Sequence, residues 1–364
     1  MGGVECFTDC LSSELAADGH SVVVVTNNTH GLSDREVLEC GVEVLRLPCK
    51  SLLGGRYPVP IRNERFHKLM GHLDEFEFDG VLINTRFYIH SLIGVRFAEK
   101  RGLRPVILDH GSAYLTLGQR SLDWIIRCYE DVITSWIKRR DVACYGISEK
   151  SVAWLRHFGI EAKGIISNAI DARAYRAHAS DRSFRKELGI EGSSLVVAFV
   201  GRLVPEKGLR ALVEAMEDLR EENIQLLVAG EGPLRSMVES SALANVHLLG
   251  RLDSNDVAAL LLDSDVLCLP TRSEGFSTTL LEASACGTPS IVTDVGGAKE
   301  LIPNEKYGVI LPDYDRGTIS FALKNALSSK SALAAMGSAC ATRLERKYSW
   351  HEVSNACLAA FRME

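Results

Sequence analysis

Several things are scarce in this sequence of 364 residues, and each scarcity excludes something. No apolar run approaches the roughly 20 residues that a membrane-spanning helix needs. The opening stretch MGGVECFTDC has no basic segment followed by an apolar core, so it does not read as a secretory leader. The ten cysteines are scattered, with no C-x-x-C pair and no histidine at zinc-finger spacing. They read as small core residues of a reduced, cytoplasmic protein rather than as a metal or disulfide framework. An excess of basic residues is also missing. The net charge is −6, which speaks against a nucleic-acid binder. Short-period repeats and low-complexity tracts are absent. So is the glycine fingerprint of nicotinamide-binding enzymes: LLVAGEGPLR holds Gly230 and Gly232, but Pro233 takes the place where the helix would have to begin.

What is present is alternation. Short β-branched runs (LVVAFVG, IQLLVAG, VHLLG, DVLCLP, SIVTD, YGVILP) are separated by helical stretches over Leu209–Arg220, Leu234–Ser241, Ser254–Leu262 and Thr278–Cys286. Near-continuous apolar strands between helices predict a parallel sheet covered on both faces, a doubly wound α/β domain. The first half repeats the pattern with SVVVVTN, VEVLRLP, FDGVLIN, PVILDHG, DVACYGIS and AKGIIS. PCKSLLGGRYPVP reads as a long loop punctuated by proline and glycine. The pattern breaks at SNAIDARAY, Ser167–Tyr175, which is read as a hinge. The chain is therefore expected to hold two open α/β sheets, residues 1–168 and 169–347, with ligands at the carboxyl ends of the strands and the cleft between domains as the default site.

Two stretches carry the chemistry. In DVLCLPTRSEGFSTTLLEASACGTP a buried strand runs into a turn and then a helix, with Ser277 as N-cap and Gly287 and Pro289 as stop signals. The uncapped amides of that helix favour anions or hydroxyl oxygens. Glu274 lies in the turn, and Glu282 about 6 Å along the helix axis from it, so the two carboxylates could flank one extended, hydroxyl-rich ligand. In FVGRLVPEKGL, Arg202 and Lys207 bracket a loop at another strand end. Two cations there suit a diphosphate, the guanidinium forking and the ammonium acting as a point charge.

In their order, GRLVPEKGL, GEGPL, VHLLGRL, the long glutamate stretch and GVILP resemble family 4 of the retaining glycosyltransferases. The likeness is most specific over Val196–Pro312. GGVE, LAADGHSVVVVT, DHGS, YGISE and SNAID in the first half, and YSWHEVSNACLAAF near the end, are similar to further landmarks of that family. The resemblance implies the GT-B fold: two facing Rossmann-like domains, with a last helix over 348–364 that returns to the first. It also implies site roles. Arg202 and Lys207 would bind the donor diphosphate, and Glu282 the nucleotide ribose. Glu274, with the amides of Gly275, Phe276 and Ser277, would hold the sugar hydroxyls. Gly230, Arg251 and Leu252 would line the nucleotide, Gly2 and Gly3 would let a helix end approach the diphosphate, and His110 would face the sugar or its phosphate.

No metal ligand and no cofactor beyond the nucleotide-sugar donor is implied, since cations and helix ends take a metal's place. The triplets Asp263–Asp265 and Asp313–Asp315 are discounted as metal sites. One departure stands out. The family carries a strand before its GGVE glycines, central in a doubly wound sheet, whereas here Met1 directly precedes them; this reads as a truncated start. The acceptor is expected to be a glycan, free or lipid-linked, in cell-surface polysaccharide assembly, bound around Asn27–Arg65. The basic residues Arg56, Arg62, Arg65, Lys68, Lys138, Arg139 and Arg140 point to peripheral contact of the first domain with an anionic membrane at the cytoplasmic face. Competing readings are a nucleotide-sugar epimerase of the same fold and a non-catalytic nucleotide-sugar or glycan binder.

Overall fold

The computed structural model describes residues 3–52, 57–114 and 120–362. Contacts divide the chain into two compact units: Met1–Ser167 with Trp350–Glu364, and Asn168–Ser349. The boundary lies inside the SNAIDARAY stretch.

Unit 1 begins with helix α1 (Gly3–Ala17), followed by strands β1 (Val23–Asn27), β2 (Arg35–Val37), β3 (Glu43–Leu47), β4 (Cys49–Leu52) and β5 (Tyr57–Pro60). Then come α2 (Glu64–His72), β6 (Leu82–Asn84), α3 (Ile89–Lys100), β7 (Val106–Asp109), α4 (Arg120–Lys138), β8 (Ala143–Gly146), α5 (Glu149–His157) and β9 (Gly164–Ile165). Apart from β4 and β5, its strands fall into two groups, ordered β1-β3-β2 and β6-β7-β8-β9, all pairing in parallel except β2, which runs antiparallel to β3. Among the described residues, β1 pairs only with β3 and β6 only with β7, so each has an edge without a neighbouring strand. The Val25 carbonyl on the open edge of β1 meets the imidazole of His90 on α3 at 3.0 Å, a side chain serving where a strand would otherwise pair.

PCKSLLGGRYPVP is not a loop. Cys49–Leu52 and Tyr57–Pro60 form an antiparallel hairpin, with Cys49 opposite Pro60 and Leu52 opposite Tyr57. The two strands make a sheet of their own, and a strand with no outer neighbour tolerates Pro58 and Pro60.

Unit 2 contains α6 (Ala172–Ala177), α7 (Phe184–Glu187), β10 (Leu195–Val200), α8 (Leu209–Asp218), β11 (Ile224–Ala229), α9 (Arg235–Ser241), β12 (Val246–Gly250) and α10 (Ser254–Asp263). It continues with β13 (Val266–Leu269), α11 (Thr278–Ala285), β14 (Ser290–Thr293), α12 (Ala298–Leu301), β15 (Val309–Leu311), α13 (Arg316–Ser328) and α14 (Lys330–Lys347). One parallel sheet, ordered β12-β11-β10-β13-β14-β15, runs through it. Leu195 through Phe199 are wholly buried, as continuous apolar strands covered on both faces must be. Strand order reverses between β10 and β13, the switch point at which such sheets open a crevice beyond their carboxyl ends. The last helix, α15 (Trp350–Arg362), belongs to unit 1 and packs on α1, where Phe7 and Trp350 meet edge to face at 5.6 Å.

Candidate active site

The switch point of unit 2 is built from loops that touch backbone to backbone. Gly201 follows β10, and the loop it opens passes over the Gly230–Gly232 loop after β11. A β-carbon on Gly230 would lie 1.9 Å from the Gly201 carbonyl oxygen, and one on Gly232 would lie 2.6 Å from that of Leu203. Gly230 thus has a packing reason to be glycine, independent of any ligand. Gly208, at φ 72°, lets the loop approach the end of β13, where a β-carbon would fall 2.0 Å from the Pro270 oxygen. The Glu206 carbonyl accepts from the Arg272 amide at 2.8 Å and from Thr271 Oγ1 at 3.1 Å. Thr293 in turn donates its hydroxyl to the Thr271 carbonyl. The loops after β10, β13 and β14 are therefore one cross-linked platform.

The charged groups stand on this platform. Lys207, in a 3-10 turn over Pro205–Lys207, forms an ion pair with Glu274 from the turn after β13. Both side chains are half-buried. Arg202 is exposed, and its side chain has no hydrogen-bonding partner among the described residues. Ser277 caps α11, accepting from the Leu280 amide at 3.4 Å. Phe276 is buried beside Tyr348, and a β-carbon on Gly297 would run into its ring, so only its backbone is available to a ligand. A small pocket beside these groups is lined by Thr271, Glu274, Ser277 and Thr293 with apolar neighbours.

Glu282 sits one turn along α11, half-buried. Burial, with the Glu282 charge adding to it, raises the Tyr175 hydroxyl and pushes the Cys286 thiol up to about 12. Arg251, exposed, and Leu252 follow β12, two strands from the switch point, and are the most distant of the expected unit 2 residues in the sheet order. The acidic triplets are occupied elsewhere. Asp263 accepts from the Arg185 amide at 2.8 Å, and Asp265 from the Arg185 guanidinium at 2.6 Å, both at the amino end of β13. Asp315 caps α13, and Asp313 bonds the Tyr314 amide.

In unit 1, His110 follows β7. Its Nε2 lies 2.8 Å from Asn84 Oδ1, and Asn84 Nδ2 donates to Thr8 Oγ1 on α1 at 3.0 Å. Burial lowers the imidazole to about 4, so it is neutral at physiological pH and offers a hydrogen bond rather than a charge. Gly3 starts α1, while Gly2 lies outside the described residues. Of the basic residues read as membrane-facing, Arg65 is held by Asp34 and Arg140 pairs with Glu99 at 3.2 Å; Arg56 lies outside the described residues.

Sequence reasoning missed a buried triad. Arg86 donates to Asp109 at 3.0 Å and to Glu130 on α4. All three side chains are at most 1 % exposed. It also missed Asn84 as the link between α1 and His110. A polar residue closing the apolar run VLIN was the available signal for Asn84. Nothing local marked Arg86, whose partners lie 23 and 44 positions away.

With this geometry in view, comparison with known proteins is informative. Residues 180–343 match the family model described as glycosyl transferases group 1, and residues 1–174 match glycosyltransferase family 4. A GDP-mannose-dependent monoacylated alpha-(1-6)-phosphatidylinositol monomannoside mannosyltransferase of Corynebacterium glutamicum is 32 % identical over 370 residues, covering 96 % of this chain and 91 % of that protein. Among solved structures, sucrose-phosphate synthase from Thermosynechococcus elongatus superposes with a TM-score of 0.78 at 20 % identity, over 99 % of this chain and 93 % of the other. Anabaena HepE in complex with UDP-glucose gives 0.72 at 18 % identity, over 99 % and 95 %. No described helix is long and apolar enough to cross a membrane. The two family matches, the full-length relative and the paired Rossmann-like units together establish that this chain belongs to the family 4 glycosyltransferases, on the GT-B fold.

Proposed function

We propose that the chain moves a hexosyl group from a nucleoside diphosphate sugar to a glycan or lipid-linked acceptor, with retention at the anomeric carbon, in the assembly of a surface polysaccharide. The observation that carries this reading is the meeting of Lys207 and Glu274 at the switch point of unit 2, beside the exposed Arg202 and the capped amino end of α11. In the reaction the bond from the anomeric carbon to the leaving phosphate oxygen breaks, and its electron pair goes to the nucleoside diphosphate. Arg202, Lys207 and the α11 amides stabilise that growing charge from fixed positions, the role a divalent cation plays in other transferases. The acceptor hydroxyl oxygen bonds to the same face of the carbon, and its proton passes to the departing phosphate. Glu274 and the backbone at Gly275–Ser277 hold the sugar hydroxyls, Glu282 the ribose, and Gly230, Arg251 and Leu252 the nucleoside side. Neutral His110 serves the sugar or its phosphate, and Gly3 lets the amino end of α1 approach the diphosphate. The Corynebacterium relative's name, with its acylated inositol acceptor and GDP-mannose donor, supports a lipid-linked acceptor, while the HepE complex keeps a UDP-sugar donor open.

The test is calorimetric titration of UDP and GDP into the protein, with Lys207→Ala and Glu282→Ala as controls, followed by product analysis with donor alone and with donor plus acceptor. Binding weakened about tenfold or more in both variants is expected, since charge-assisted hydrogen bonds contribute about 1.5–3 kcal/mol. Isomerised donor formed without acceptor would replace transfer by epimerisation. Tight binding with no turnover of any donor would make the chain a binder.

A further inference from the structure

His110 is tied to α1 through a short chain of hydrogen bonds, and the supply of protons fixes the direction of each. Thr8 Oγ1 lies 2.8 Å from the Val4 carbonyl oxygen one turn earlier on α1. Two oxygens that close need a proton between them, and only the hydroxyl has one. With that proton committed, Thr8 Oγ1 can only accept from Asn84, 3.0 Å away, so the Asn84 group facing it is the NH2 and not the carbonyl. The Asn84 carbonyl oxygen therefore faces His110 Nε2 at 2.8 Å, and as a pure acceptor it requires the ring proton to be on Nε2. Burial keeps the imidazole neutral, since it lowers the ring to about 4. A neutral ring has one N–H, so Nδ1 carries none and keeps a bare lone pair.

Two further features hold the chain in place. Phe7 on α1, 1 % exposed, packs edge to face with the imidazole at 5.0 Å. Directly after Asn84 the backbone turns at Thr85, whose φ of 71° lies in the left-handed region that β-branched residues rarely enter. The Thr85 amide donates to the Leu108 carbonyl at 2.8 Å, and its own carbonyl accepts from Ser91 Oγ at 2.7 Å. Strain of this kind persists only where the surroundings over-determine it, and it gathers at functional sites.

We propose that Thr8 and Asn84 are positioning residues for the transfer reaction, which hold His110 as its Nε2–H tautomer and leave Nδ1 as a hydrogen-bond acceptor. The ligand group that suits such a nitrogen is a hydroxyl, which has a proton to give. A nucleoside diphosphate oxygen that has lost its proton offers none, and the lone pair repels it. The partner of His110 is thereby a sugar hydroxyl rather than the phosphate, a step that rests on the transferase reading above. Val4 lies in the first turn of α1, so the tautomer is set from the same helix end at which Gly3 stands.

Nitrogen-15 spectra of the full chain, labelled at the histidine rings, test it; the His110 signals are picked out from the ten histidines by their loss in His110→Gln. The wild type should show the Nε2–H tautomer alone. Thr8→Val keeps the side chain's shape and removes the hydroxyl. It and Asn84→Leu, both checked as folded by circular dichroism, should each give a mixture of tautomers. Thr8→Ser restores the hydroxyl and should restore the single tautomer. UDP-glucose or GDP-mannose, whichever calorimetry shows to bind, should shift Nδ1, and UDP or GDP should leave it in place. Donor turnover should follow the tautomer, with kcat/KM lower by about two- to tenfold in Thr8→Val and recovered in Thr8→Ser, as expected for one neutral hydrogen bond. An Nδ1–H tautomer in the wild type, a tautomer unmoved by Thr8→Val or by Asn84→Leu, or an Nδ1 shift as large with UDP or GDP as with the sugar nucleotide would each overturn it. The tautomer is read without ligand, so a protein that turns over no donor would remove the transferase reading, while the positioning of His110 would still stand or fall on its own spectrum.

Discussion

Each unit keeps a cluster of opposite charges near its strand ends, and the two clusters behave differently because of burial alone. In unit 1, Arg86, Asp109 and Glu130 are at most 1 % exposed. In unit 2, Lys207 and Glu274 are 22 % and 17 % exposed. Removing one partner from the dry cluster strands a charge that water cannot reach, which costs about 3–5 kcal/mol. Removing one from the wetter pair leaves a charge that water or a ligand can take up. The first arrangement fixes structure, while the second is suited to exchanging partners. The sheets follow the same division. Unit 2 has one unbroken sheet whose loops lock around half-buried charges, and unit 1 has split strands held by buried polar links.

The largest effect should come from the platform itself. Gly230→Ala puts a β-carbon 1.9 Å from a backbone oxygen at a φ of 144°, so neither the side chain nor the backbone can yield cheaply. A loss of roughly 4 kcal/mol or more is expected, seen as loss of unit 2's calorimetric transition. Gly102→Ala in unit 1, with nothing within 4 Å and only a φ of 69° against it, should cost about 1–2 kcal/mol. Equal costs would mean that the platform is looser than its geometry. Arg86→Met comes next, at about 3–5 kcal/mol near neutral pH. Burial raises Asp109 despite Arg86 beside it. A carboxyl raised in the folded state favours folding at low pH, where it is protonated in both states, and that favour fades as pH rises through the raised value. The cost of Arg86→Met should therefore be smaller at pH 4 than at pH 7, and a cost independent of pH would exclude Asp109 as its source.

His110 should produce the opposite slope. Its imidazole is depressed to about 4, so between the ordinary value near 6.5 and pH 4 the unfolded chain binds a proton that the folded one does not. Stability is then lost as pH falls through that window, by up to about 3 kcal/mol. His110→Gln, which keeps a donor toward Asn84, should flatten the loss in chemical denaturation followed from pH 7 to pH 4. An unchanged slope would assign it to other groups.

How far each unit could be read in advance follows from the same contrast. The strands of unit 2 and its helices α8 to α11 were legible because each is a run of one period. Arg202, Lys207, Glu274 and Ser277 were legible because they sit in short loops between such runs, where sequence neighbours are also spatial neighbours. In unit 1 the connections are what failed. PCKSLLGGRYPVP looked like a loop because proline and glycine are turn signals, yet an unpartnered hairpin strand accepts proline as readily. The triad escaped because its members come from three separate segments, and no periodicity couples Arg86 to Glu130. The role of Gly230 was half legible: the glycine stood out, but the neighbouring Gly201 carbonyl that requires it lies across the sheet.

The smallest effect separates the two clusters most sharply. If the Lys207–Glu274 pair is exchangeable, Glu274→Gln frees an ammonium that a diphosphate would otherwise have to win from a carboxylate. Partly exposed pairs contribute about 0–1 kcal/mol, so UDP or GDP affinity should rise by a factor of about five at most, while turnover of the sugar donor falls because the neutral amide holds the sugar hydroxyls more weakly than the carboxylate does. Lys207→Ala should weaken the same nucleotide. A Glu274→Gln protein that binds nucleotide as poorly as Lys207→Ala would mean that Glu274 organises the loop as rigidly as Asp109 and Glu130 organise theirs. The distinction between a locked and an exchangeable cluster would then fail, since partial exposure would no longer be enough to let an ion pair change partners.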